Sequence, residues 1–347
     1  MRAVVYAGAN EVAVRDVPEP VLLAPTDAIV RVTMAGICGT DLHVIAGDFP
    51  GLEPGAVMGH EFVGEVVDIG PLVQRVKRGD RVMASDFVAC GHCRCCARGD
   101  HWQCGERAFF GTGTSFGPAL SGAQAELVRV PLADTTLCPI PAGCSEEAAI
   151  LVGDNLATGW AAVERGGVKP GDFVAVIGGG AVGQLASLSA QVAGAAAVLL
   201  VEPNEARRQL AQRQGALAAA PAEAAALLHK ITDGEGAAVV IEAVGSPGPL
   251  RGAFDLVQKR GTIVSVGAHA DRAWPLDLAR SFADELTLSF AIGDSIRLRQ
   301  RLLPLIRSGI LDPTVIIDAR IPFAAVPDAY RSLKAQRIMK AVVLPEL

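Results

Sequence analysis

The chain has 347 residues, half of them hydrophobic, and a formal net charge of -6. That length suits two packed cores better than one, and the acidic balance argues against a nucleic-acid partner, leaving the basic run RLRQR at 297–301 as a solvated helix face. Apolar runs such as AGAAAVLLV at 193–201 fall short of the ~18–20 residues that cross a bilayer, so no membrane span is expected.

The amino-terminal stretch MRAVVYAGANEVAVRDVPEP alternates like a strand and lacks the apolar core and cleavage site of a secretion signal. A cytoplasmic protein is therefore expected. Through about residue 150 the chain shows short apolar runs (AVVYA, AIVRVTMAG, GEVVDIG, DRVMA, AELVRVP) punctuated by Gly and Pro, the pattern of a β-rich domain. Within it, CGHCRCCARGDHWQC at 90–104 holds five of the eight cysteines. In a reducing compartment such a cluster points to metal rather than disulfides. Cys90, Cys93 and Cys96, two residues apart in succession, can converge on one ion from a tight turn, and Cys104 from the end of the loop closes a tetrahedral zinc site, a closed structural one. Cys95 breaks the rhythm and is expected to point away.

After residue 150 the rhythm changes. DFVAVIG, AAAVLLVE, GAAVVIEAVG and GTIVSVGA read as buried strands separated by helical segments, among them AVGQLASLSAQVAG, EARRQLAQRQ and PAEAAALLHKI; this alternation predicts a parallel, doubly wound α/β sheet. The first strand runs into IGGGAVG, with Gly178, Gly180 and Gly183 as GxGxxG. The first glycine allows the tight turn, the second admits a pyrophosphate, and the third permits close helix packing at an anion-binding helix start. Glu202, at the end of the next strand, can accept the adenosine ribose hydroxyls and repel a 2′-phosphate, which favours NAD over NADP; Arg207 and Arg208 lie nearby. RLRQRLLPLIRSG then reads as a helix, IDARIPF follows, and VVLPEL reads as a final strand, but composition alone does not assign this tail.

A second group of candidate ligands comes from three separated segments. GICGTDLH supplies Cys38, Thr40, Asp41 and His43; GHEFVGEV supplies His60 and Glu61; GDNLATGW supplies Asp154. Mixed sulfur, imidazole and carboxylate donors suit an open catalytic zinc site.

Together, GICGTDLH, GHEFVGEV, the four-cysteine lobe, GDNLATGW and GGGAVG follow one another as in the zinc-dependent medium-chain dehydrogenase/reductases, the alcohol dehydrogenase superfamily, which the chain resembles over essentially its whole length. The resemblance implies a GroES-like catalytic domain over 1–153, to which the tail 295–347 returns, around a Rossmann domain over 154–294. It implies two zinc ions per chain. Cys38 and His60 resemble catalytic zinc ligands, and Asp154 stands where relatives place a third; Glu61 resembles a glutamate beside the metal that ligates it in some members, so the permanent third ligand stays open between the two, Asp154 otherwise capping a helix. Thr40 and His43 match a hydroxyl and an imidazole that carry the substrate proton to solvent, and Asp41 is placed to orient a ligand histidine. Thr158 matches a position beside the nicotinamide, and Arg337 resembles an arginine that binds the pyrophosphate. The expected cofactor set is thus Gly178, Gly180, Ala181, Val182, Gly183, Glu202, Arg207, Thr158, Val244, Val266, Gly267 and Arg337.

The activity implied is hydride transfer between NAD and a primary, secondary or polyol alcohol, giving aldehyde or ketone, in a homodimer or homotetramer. A formaldehyde-type dehydrogenase or dismutase with tightly held NAD is the neighbouring alternative. A zinc-ribbon binding module is opposed by the acidic charge and the second ligand group, and a zinc-free quinone reductase by the pairing of Cys38 with His60.

Overall fold

The computed structural model describes residues 1–269 and 273–345. The chain divides into two compact units, Met1–Asp154 with Asp294–Leu347, and Asn155–Gly293. Among the described residues no helix is long and apolar enough to cross a membrane.

The first unit is built on the strand Ala28–Ile37, whose β-branched residues Ile29, Val30 and Val32 are buried along with Ala35 and Ile37. Such residues pack well on a pleated surface. This strand pairs antiparallel with Phe62–Ile69, with Leu127–Val130 along its first half, and with Ala341–Leu344 at its far end. The sheet continues through Arg81–Ala84 to Leu137–Pro139 on one side and ends at Ala319–Pro322 on the other. Of the final strand expected from VVLPEL, the last two residues lie outside the described ones. One core gathers Val30, Ile37, Met58, Phe62, Phe110 and Tyr330, so the carboxyl-terminal tail shares the amino-terminal hydrophobic interior.

The pairing of these strands positions the chemistry. Ala35 lies opposite Phe62, and the Gly36 N–H donates to the Glu61 carbonyl at 2.9 Å. The chain leaving one strand at Cys38 therefore stands beside the chain entering the other at His60 and Glu61. Gly36 is required there by space: a Cβ on it would lie 1.8 Å from Glu61 Oε2.

The second unit is a six-stranded parallel sheet in the order Leu217–Ala219, Ala197–Val201, Phe173–Ile177, Ala237–Glu242, Val257–Ser265, Thr287–Phe290. Ala197–Val201, Phe173–Ile177 and, up to its last residue, Ala237–Glu242 are apolar because helices cover both faces, as the buried clusters around Val174, Leu200 and Ile241 and around Ala175, Leu199 and Val240 show. Strand order reverses beside Phe173–Ile177, and a crevice for a ligand forms at the carboxyl ends of the strands at such a switch point. The expected combination of a GroES-like β unit and a Rossmann doubly wound sheet is present in the two units.

Candidate metal centres and nucleotide site

Cys38, His60, Glu61 and Asp154 each offer one donor atom within 4.8 Å of the others. Cys38 precedes the helix Gly39–Ala46, whose first turn holds Asp41, and the Cys38 N–H donates to Asp41 Oδ2 at 2.9 Å. Asp41 Oδ1 lies 3.1 Å from His60 Nδ1, which leaves Nε2 facing Asp154 Oδ2 at 3.4 Å. Gln124 links to Asp41 and to the Gly36 carbonyl and accepts from the Tyr330 hydroxyl, so this support is itself held in place. The Cys38 thiol stands 3.5 Å from Asp154 Oδ2 and 3.9 Å from Thr40 Oγ1.

The electrostatics of the cluster show what it favours. Burial raises the Cys38 thiol, with Asp154 and Glu61 adding to the rise. Burial disfavours a charged His60, yet Asp41 and Asp154 outweigh it and lift the imidazole well above its ordinary value. Burial likewise opposes ionisation of Asp154, but its hydrogen bond and charge pairing with His60 hold it well below the usual carboxylate range. Burial pushes Glu61 up to about 7 against the pull of Lys340. A negative surrounding that favours protons on sulfur and nitrogen favours a metal cation in their place. The donor set fits zinc, which accepts S, N and O ligands and keeps an open position when catalytic.

Lys340 is the residue that sequence reasoning missed. It is 1% exposed, ion-paired to Glu61 Oε2, and donates to the Ile37 carbonyl at 3.3 Å. Burial disfavours its charge, and Glu61 and Cys38 outweigh that cost and raise it. Arg337, three residues earlier, is exposed at the end of the turn after the helix Val326–Lys334. The available signal was a lysine in the otherwise apolar run IMKAVV. Thr40 and His43 are both half-buried, and His43 Nδ1 is 2.7 Å from Asp48 Oδ2.

In the cysteine lobe, Cys90, Cys93, Cys96 and Cys104 form a second group, and Cys95 stands outside it. The Sγ separations are 3.5 Å for Cys93–Cys96, 3.9 Å for Cys90–Cys96 and 3.9 Å for Cys93–Cys104. A disulfide needs ~2.05 Å, whereas a tetrahedron with ~2.3 Å zinc–sulfur bonds has edges of about 3.8 Å. Backbone N–H groups of Cys93, Cys90 and Glu106 point at the sulfurs. Hydrogen bonds from the Cys96 backbone and thiol lower the Cys93 thiol to about 6, while burial raises Cys96. His101 fastens the lobe by bonding Asp294, the cap of the helix Ser295–Arg307, through both backbone and ring.

In the second unit, Gly178 turns with φ of 98°, and Gly180 caps the helix Ala181–Val192. A Cβ on Gly183 would lie 1.8 Å from the Gly178 carbonyl oxygen. Ala181 and Val182 are half-buried in the first turn, as are Arg207, Val266 and Gly267 at strand and helix ends; Val244 is 43% exposed. Glu202 is buried, accepting from the Gly179 N–H at 2.6 Å and the Asn204 N–H at 2.8 Å, so its carboxylate is tied to the glycine loop. Arg208 turns to the Glu202 and Pro203 carbonyls. Thr158 lies half-buried on the helix Asn155–Gly166, its hydroxyl near Gly293.

A β-rich unit carrying two cysteine-containing donor groups, joined in one chain to a Rossmann sheet, defines the class of two-domain zinc-dependent dehydrogenases. Family models agree: the alcohol dehydrogenase GroES-like domain matches residues 24–142, and a zinc-binding dehydrogenase model matches 181–308. The chain is 40% identical over 337 residues, 97% of its own length and 86% of the relative's, to a Mycobacterium tuberculosis protein named as a probable zinc-binding alcohol dehydrogenase. It superposes on the alcohol dehydrogenase TADH of Thermus sp. ATN1 with a TM-score of 0.94 at 36% identity, covering 99% of both chains. A Sinorhizobium meliloti 1021 protein assigned as a zinc-binding dehydrogenase and bound to NADP gives 0.87 at 28% identity, again over 99% of both. The chain belongs to the zinc-dependent medium-chain dehydrogenase/reductase superfamily and is an oxidoreductase of the alcohol dehydrogenase type.

The sulfur geometry predicts different outcomes at neighbouring cysteines. Cys104→Ser removes one zinc ion per chain and lowers the melting temperature, whereas Cys95→Ser leaves metal content unchanged. Metal analysis by mass spectrometry with a thermal melt checks this; loss of metal in Cys95→Ser alone contradicts it.

Proposed function

We propose that the protein is an NAD-dependent zinc alcohol dehydrogenase, interconverting a small primary, secondary or polyol alcohol with its aldehyde or ketone. The convergence of Cys38, His60, Glu61 and Asp154 on one buried point carries this reading. Cys38, His60 and a carboxylate would hold zinc, which would supply Lewis acidity to the substrate oxygen, and the glycine loop of the second unit would hold NAD, which would supply a hydride acceptor.

The chain's own residues do the remaining work. The Asp41 carboxylate, 3.1 Å from His60 Nδ1, favours a proton on that nitrogen and leaves Nε2 as the ligand atom. Lys340 keeps Glu61 from adding an uncompensated charge, so Glu61 remains a close neighbour able to enter the ligand shell. Thr40 would take the substrate proton as it releases its own hydroxyl proton toward the cofactor ribose, and His43 would pass a proton from there to solvent; with Nδ1 beside Asp48, the exchange falls to Nε2. On the cofactor side, Glu202 supports NAD because a 2′-phosphate would meet a buried carboxylate.

Two zinc ions per chain are part of the proposal, Cys90, Cys93, Cys96 and Cys104 holding the second. So is self-association as a homodimer or homotetramer: Leu278 at 71%, Phe282 at 88% and Phe290 at 57% exposure flank the edge strand of the parallel sheet, which is where a second copy removes apolar surface from water. A cytoplasmic location without nucleic-acid partners accords with the net charge of -6 and with cysteines grouped as metal donors.

Asp154→Ala is expected to lose the catalytic ion while retaining the lobe ion, and to lower kcat/KM by more than about a hundredfold; both ions with near-normal turnover would transfer the ligand role to Glu61. Glu202→Ala is expected to narrow a preference for NAD over NADP, read as the ratio of kcat/KM values. Equal use of NADP by the unaltered protein contradicts the cofactor assignment.

A further inference from the structure

Asp86 is a buried carboxyl that none of these roles employs. It lies between the strands Arg81–Ala84 and Phe87–Val88 in VMASDFVAC, where Ala84 is 2% and Phe87 0% exposed. Its N–H reaches the Gly153 carbonyl at 3.4 Å and its carbonyl accepts from the Phe110 N–H at 3.1 Å. Gly153 adjoins Asp154, and the ring of Phe109 lies 5.1 Å from that of His60. Asp86 is therefore wedged between two segments that wall the donor cluster.

Its side chain is poorly provided for. The residue is 6% exposed, and the side-chain hydrogen bond it receives is a long one, 3.3 Å from the Ser85 hydroxyl to Oδ1. Burial, then the negative charge of Asp154, push its carboxyl well above the usual range, with His60 pulling the other way. An apolar residue would fill this position at no such cost, since a buried polar group without good partners destabilises the fold. Poorly satisfied groups of this kind gather where a ligand completes them.

We propose that Asp86 hydrogen-bonds a second hydroxyl of the substrate, adjacent to the reacting one, and so selects vicinal diols and longer polyols over simple alkanols. The assignment rests on the alcohol dehydrogenase reading above and narrows its substrate class. A carboxyl suits a hydroxyl in either protonation state, accepting when ionised and both donating and accepting when neutral. An alkanol would set a methylene against it and leave the carboxyl dehydrated with the long Ser85 bond in place of a substrate hydroxyl, the arrangement by which polar sites reject analogues lacking a hydroxyl.

The test compares 2,3-butanediol with 2-butanol, in kcat/KM with NAD, for the zinc-loaded enzyme and its Asp86→Asn and Asp86→Leu variants. Calorimetry of diol binding to the enzyme–NADH complex and metal analysis accompany it. The unaltered enzyme should favour the diol by about tenfold or more, and Asp86→Leu should lower the diol-to-alkanol ratio by about 10- to 100-fold and weaken diol binding to match, with both zinc ions retained. Asp86→Asn, nearly isosteric and still able to bond a hydroxyl, should fall between the two, and it carries the test if the leucine variant does not fold. An unchanged ratio in the variants, a preference for the alkanol in the unaltered enzyme, or loss of an ion on substitution overturns the assignment. Turnover of neither alcohol removes the alcohol dehydrogenase reading and this one with it; turnover of both without preference removes this one alone.

Discussion

The constraint on which the first unit turns is a concentration of buried negative charge around His60. Asp41, Asp154 and Glu61 are brought against one imidazole and one thiol, and Lys340 is the buried amine that offsets them. Isolated, any of these charges would be expensive to bury. Grouped, they form a surrounding suited to a dication. The rigid support follows from this: Gln124 and Tyr330 fix Asp41, and the missing Cβ of Gly36 makes room for the Glu61 carboxylate.

Assembly of the centre depends on contacts far apart in sequence. Cys38 and His60 meet because Ala28–Ile37 and Phe62–Ile69 pair at their ends, and Lys340 arrives because Ala341–Leu344 adds to that same strand. The tail thus contributes to the donor cluster as well as to the hydrophobic core. The cysteine lobe is a local construction by contrast, with its four sulfurs inside fifteen residues, and its anchor to the rest is His101 on Asp294.

Legibility in the sequence follows that same division. The lobe and the glycine loop could be read because their function is encoded in spacing along a few residues, and the parallel sheet because its buried strands are mostly apolar. The candidate catalytic centre could be proposed because several short motifs occur in order, although each ligand alone is an ordinary residue. Lys340, Asp48 and Asp86 carried no spacing signal; their partners become neighbours only after strands pair. Arg337, which resembles an arginine that binds the pyrophosphate, lies exposed, and Lys340, three residues on, turns inward beside the strand that begins at Ala341. The tail was unassignable from its own composition for the same reason, since its strands complete a sheet begun three hundred residues earlier.

Zinc K-edge X-ray absorption on the purified chain, combined with metal stoichiometry, tests the central claim most directly. Two distinct centres predict about two ions per chain and a mixed averaged shell, with sulfur at ~2.3 Å from Cys38 and the four lobe cysteines and nitrogen or oxygen at ~2.0–2.2 Å from His60 and the carboxylates. A single ion per chain in an all-sulfur shell would contradict it, leaving the cluster around His60 as a hydrogen-bonded core without a metal.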